Sequence, residues 1–176
     1  MSLLKAFTRR TGRAVVFACA SLLPLAGCAQ AVNFHKPPGA SKPSYSEATE
    51  VVGQGVSTLY VSSLVPEPLD ASAPKDSRAY FGDTQAQTDG LLMRAKTLLE
   101  RHGYAMRDVV KVNVFLIADP GRGGVTDVDG FAQGYGKHFG TPETPTLPAR
   151  TRLTVSALTN PNWLVAMDFI AARSRP

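Results

Sequence analysis

A single α+β domain, one mixed sheet with two helices on one face, is the fold class that the sequence predicts. Three observations carry it. Segments with the two-residue alternation of strands and segments with the 3.6-residue period of helices follow one another as strand, strand, helix, strand, helix, strand, strand, with no internal repeat. The first helical segment sets Leu91, Leu92, Ala95, Leu98 and Leu99 in one stripe. The last strand, 163–172, is apolar on both faces, with Leu164, Ala166 and Ile170 on one and Val165, Met167 and Phe169 on the other. Two helices cover only one face of such a sheet, so a second copy is expected to bury the other.

Ahead of the domain, Lys5, Arg9, Arg10 and Arg13 form a basic region, 14–25 is an apolar run, and Leu25-Ala26-Gly27-Cys28 closes it with small residues. Residues 1–27 are therefore read as a lipoprotein-type signal peptide with Cys28 as the lipidation site. The apolar run is shorter than the roughly 20 residues of a spanning helix, and Pro24 interrupts it. Arg9-Arg10 is a weak twin-arginine signal. Residues 28–44 hold Pro37, Pro38, Gly39 and Pro43 with little periodicity and read as a flexible linker, which places the domain at 45–176. Ala29 after the cysteine fits sorting to the periplasmic face of an outer membrane.

Within the domain, 48–52 and 56–65 alternate as strands around the turn residues Gly53 and Gly55, and Pro66 and Pro68 stop the second. Residues 67–81 read as an irregular loop. Thr84 and Gln87 match a capping box beside Asp83, and Gly103 fits the C′ position that ends the first helix. A strand over 109–117 follows. The glycines of 119–124 read as a turn, since no Lys-Ser/Thr follows to complete a phosphate cradle. Asp127 caps a second helix through Val128, Phe131, Ala132, Tyr135 and Phe139, which Gly130, Gly134 and Gly136 weaken. Two strands close the chain, around 151–157 and 163–172.

Composition excludes several chemistries. Of the two cysteines, Cys19 would leave with the signal and Cys28 would carry lipid, which leaves no thiol chemistry. The formal charge of +5 falls likewise: without the four signal cations, 15 Lys and Arg face 14 Asp and Glu, a net of +1, so no nucleic-acid partner is expected. The three histidines, His35, His102 and His138, lack metal-ligand spacing, and no metal or organic cofactor is expected.

Two charged residues stand out. Pro148 stiffens the lead-in to Arg150, and Arg150, Arg152, Thr154 and Ser156 share a strand face opposite Leu153 and Val155. Asp168 is the one carboxylate of an otherwise apolar strand, where an unpaired charge costs several kcal/mol. The pattern equally admits Arg150 as a solvated edge charge and Asp168 as a guard against edge aggregation.

At Pro148-Ala149-Arg150-Thr151 and at the run Leu-Val-Ala-Met-Asp-Phe-Ile-Ala over 164–171, the chain resembles the RidA (YjgF) family of enamine/imine deaminases. The likeness extends over about 45–173, through Asp108-Val109-Val110-Lys111-Val112-Asn113-Val114-Phe115-Leu116 and Gly140-Thr141-Pro142-Glu143. It implies a chorismate-mutase-like fold, a homotrimer, and active sites in clefts between subunits, where a small 2-imino or enamine acid is hydrolysed to a 2-keto acid and ammonia without a cofactor. By resemblance Arg150 matches the arginine that pairs with the substrate carboxylate, Asp168 the glutamate that activates water, and Tyr45 and Ser62 two pocket residues. Four positions depart from the pattern: Ser63 replaces a glycine, Ala132 an asparagine, Arg152 a residue that is often cysteine, and Asp168 the longer glutamate. The departures keep open a non-catalytic module that binds small carboxylates, with Arg152 as a second cation, and a purely structural envelope protein.

Overall fold

The computed structural model describes residues 31–41, 45–53 and 55–174. In chain order its strands are β1 (Ala31–His35), β2 (Ala48–Gly53), β3 (Val56–Leu64), β4 (Val109–Asp119), β5 (Val125–Thr126), β6 (Ala149–Val155) and β7 (Val165–Ser174). The helices are a single turn α1 (Arg78–Phe81), the long α2 (Thr84–Arg101) and α3 (Val128–Gly136). One sheet runs β1-β2-β3-β7-β4, with β6 and the short β5 both paired to β4. Every pair is antiparallel except β4 with β6. Parallel pairing requires a crossover, which α3 supplies. The α2 segment does the same between β3 and β4, and β7 is inserted between those two strands.

Both long helices lie on one face, as the periodicity predicts. Leu91, Leu92, Ala95, Leu98 and Leu99 of α2 and Phe131 and Tyr135 of α3 are buried in one core with Leu59, Val112, Val114, Leu116, Val165, Met167 and Phe169 of the sheet. The glycines of α3 have a reason at Gly134. A Cβ there would lie 2.7 Å from the Gln85 carbonyl oxygen and 2.8 Å from the Thr88 Cβ, so its absence lets α3 settle against α2.

Several local expectations are corrected. Residues 28–44 are not all linker: Ala31–His35 pairs with β2 as an edge strand, so the fold starts ahead of Tyr45. The alternation there is too short and too exposed to read as a strand without its partner. Helix α2 is capped by Asp83, whose carboxylate accepts from the Ala86 N–H at 2.8 Å, and not by Thr84 with Gln87. Gln87 is buried and pins the segment before β7: Nε2 donates to the Asn162 carbonyl at 2.8 Å, and Oε1 accepts from the Leu164 N–H at 2.7 Å. Helix α3 ends at Gly136, short of Phe139.

Candidate functional site

Strand β6 holds Arg150 and Arg152 on the helix side, because their β4 partners are the core residues Val112 and Val114. The Arg150 guanidinium carbon lies 4.7 Å from the centre of the Tyr135 ring and 5.4 Å from that of Phe131. Arg152 stands 5.9 Å from the Phe131 ring. Cation–π contact of this kind orients a guanidinium without neutralising it. Among the described residues, neither arginine is ion-paired, whereas Arg78 and Arg94 each meet a carboxylate. Burial pushes the Tyr135 phenol above its ordinary value, and the charge and hydrogen bond of Arg150 work against that rise.

Asp168 is on the other face. Its register partner on β4 is Asn113, whose Nδ2 donates to Asp168 Oδ1 at 2.7 Å. Thr151 lies across β4 on that face, where Lys111 Nζ donates to its hydroxyl at 2.6 Å. Around them the face is apolar and open: Tyr60 and Leu153 are exposed, and Phe115, Ile117 and Ile170 are half-buried. Within one chain the sheet thus separates Arg150 from Asp168.

Tyr45 and Ser62 occupy a third place. Both line a groove of about 1250 Å³ along α2, together with Arg94, Arg101 and Glu143. Tyr45 is exposed, and Ser62 donates to the Ser46 carbonyl at 2.6 Å where the β3–β7 register is irregular. Neither arginine of β6 nor Asp168 lines this groove. Cys28 lies outside the described residues. The chain therefore brings together Arg150 with Arg152, and Tyr45 with Ser62, and leaves Asp168 apart.

A family model described as Endoribonuclease L-PSP matches residues 38–173. The chain belongs to this family. A RutC family protein of Pyrococcus horikoshii is 34% identical over 116 residues, which cover 64% of this chain and 77% of the relative. A second RutC family protein, from Pyrococcus abyssi, is 31% identical over 130 residues, 72% of this chain and 84% of its own length. Among solved structures, PA3499 of Pseudomonas aeruginosa, a protein of unknown function, superposes with a TM-score of 0.61 at 26% identity over 81% of this chain and 93% of its own. NMB1025 of Neisseria meningitidis, a member of the YjgF family, shares the fold with a TM-score of 0.57 at 20% identity, over 83% and 98% of the two chains.

Three neighbours of these residues have roles that their sequence pattern left unassigned. Phe131 and Tyr135 read as core residues of α3, and they are, but they also seat the arginines. Their spacing of one helical turn was the available signal. Asn113 read only as the polar phase of β4. Its pairing with Asp168 depends on the order β7-β4, which no local pattern encodes.

Proposed function

We propose that the protein hydrolyses small 2-imino or enamine acids to 2-keto acids and ammonia, in a cleft completed by another copy of the chain. The observation that carries this reading is Arg150: an exposed guanidinium, oriented by two aromatic rings and with no carboxylate partner among the described residues. A planar fork so placed suits a substrate carboxylate. Asp168, oriented by Asn113, takes a proton from water as the water oxygen bonds to the imine carbon. The nitrogen of the resulting carbinolamine is protonated, the C–N bond breaks, and ammonia leaves as the carbonyl forms. Because the sheet separates Arg150 from Asp168, the Asp168 of one copy serves the Arg150 of another. A homotrimer related by a threefold axis provides three such clefts and also covers the open sheet face.

Ammonia release from 2-imino acids generated in situ by an amino-acid oxidase tests the reading. Arg150→Ala should lower kcat/KM about ten- to a hundredfold, the loss of a charge-assisted pair worth roughly 1.5–3 kcal/mol. Unchanged hydrolysis in that variant would refute the mechanism.

A second reading, a module that binds small carboxylates without turning them over, draws on the short reach of Asp168 and on its hydrogen bond to Asn113. A misplacement of about 1 Å in a catalytic group can cost a hundredfold. Activity that appears in Asp168→Glu but not in the native protein would favour this second reading. The description of the family model names an endoribonuclease. Here the near-balanced charge beyond residue 27 offers little electrostatic attraction for a polyanion.

For location, we propose export and lipidation at Cys28. Since β1 begins at Ala31, only residues 29 and 30 separate that anchor from the sheet, a reach of at most about 10 Å whatever their conformation. The domain would then sit close to the bilayer and not on a long tether. Cys28→Ser should shift it from the membrane fraction to the soluble one, and retention in the membrane would oppose the lipid anchor.

A further inference from the structure

Arg150 and Arg152 are alternate residues of β6 on one face, which sets their Cα atoms about 6.5–7 Å apart. Both guanidinium groups lie over the same ring, that of Phe131, which is itself fully buried. The Tyr135 phenol serves only one of them, Arg150. Four of the other described arginines meet carboxylates, Arg78 with Asp119, Arg94 with Glu67, Arg101 with Glu47 and Arg122 with Asp127, while Arg173 donates to the Gly103 carbonyl. Among the described residues, this pair meets none. Two like charges held side by side repel each other, and a shared aromatic ring orients them without cancelling either charge. The arrangement is satisfied by an incoming ligand that carries two negative groups.

We propose that Arg150 and Arg152 form a paired anion seat and that the ligand of the cleft is a dianion, a 2-imino or 2-keto acid with a second carboxylate on its side chain. The proposal rests on the carboxylate reading of Arg150 and narrows it. A monocarboxylate neutralises one guanidinium and leaves its neighbour bare. A short dicarboxylate reaches both, and each contact gains the strength of a charge-assisted hydrogen bond. Arg152 then acts as the residue that selects the substrate, and Arg150 as the one that every substrate needs.

Calorimetric titration of the full-length protein with 2-oxoglutarate, a dianion, and 2-oxobutyrate, a monoanion, separates the possibilities. The dianion should bind about tenfold or more tightly than the monoanion, the difference made by one added charge-assisted contact. Arg152→Ala should weaken 2-oxoglutarate about tenfold or more and 2-oxobutyrate much less, so that the preference for the dianion is lost, and a circular dichroism spectrum matching the native one shows that the variant is folded. Arg152→Lys should recover part of the preference, and Arg150→Ala should weaken both acids. Equal native affinities for the two acids would overturn the paired seat and leave the Arg150 reading standing, provided that both still depend on Arg150. Equal weakening of both acids by Arg152→Ala would reduce Arg152 to a cover for Phe131 and would also overturn it. No binding of either acid to the native protein would overturn the seat and the carboxylate reading together.

Discussion

Gly134 shows how a single residue can mislead a propensity argument. On helix propensity alone, alanine should stabilise α3 by about 1 kcal/mol. A Cβ 2.7 Å from the Gln85 carbonyl oxygen reverses the sign, because it forces α3 off α2, and overpacking of this kind costs about 1–3 kcal/mol. Gly134→Ala should therefore lower the denaturant midpoint, whereas an increase would show that the helix pair has slack. His102, at the end of α2, supplies a pH dependence. Burial, followed by the charges of His35 and Arg101, holds its pKa below the ordinary histidine value, and Glu50 opposes them. The unfolded chain then binds that proton more tightly than the folded one, so stability is complete above about pH 6.5 and falls as the pH drops below it. His102→Asn should flatten the slope of stability between pH 7 and pH 5, and an unchanged slope would assign it to other groups. At this scale the faces of Arg150, Arg152 and Asp168 were legible from strand alternation. Their partners were not, because Phe131, Tyr135 and Asn113 come from elements whose neighbours are set by topology.

Among the elements, those with a long apolar stripe or sustained alternation were legible, and those defined by a partner were not. Helix α2 and strands β3, β4 and β7 each carry enough buried side chains to declare their period. Strand β1 has four exposed residues of five and exists through its pairing with β2. The two-residue β5 likewise depends on β4. The pairing of β1 matters for stability. Asn33 donates to Glu50 at 3.3 Å, and the His35 ring packs 4.3 Å from that of His102. A chain beginning at Tyr45 should be less stable than one beginning at Ala31 by at least about 1 kcal/mol, the scale of one lost hydrogen bond with its packing. Equal melting temperatures for the two would reduce β1 to an ornament of the edge. Gln87 illustrates the opposite failure. Its spacing from Thr84 fits a capping box, but its amide is spent on Asn162 and Leu164, contacts from a distant segment that only the folded chain supplies.

For the molecule as a whole, the sheet has one face filled by helices and one face left open, a division that the apolar character of both faces of β7 already implied. That division decides the account of function. It places Arg150 and Arg152 of β6 on the helix side and Asp168 on the open side, so a site that uses both must draw on two copies. Subunit mixing tests this most directly. Arg150→Ala and Asp168→Asn should each be nearly inactive in ammonia release. Unfolded together in equal amounts and refolded, they should form mixed oligomers in which about one site in four combines an intact Arg150 from one copy with an intact Asp168 from another. Recovery of about a quarter of native activity is the predicted result. Activity that stays at the level of the separately refolded variants would contradict a cleft shared between copies.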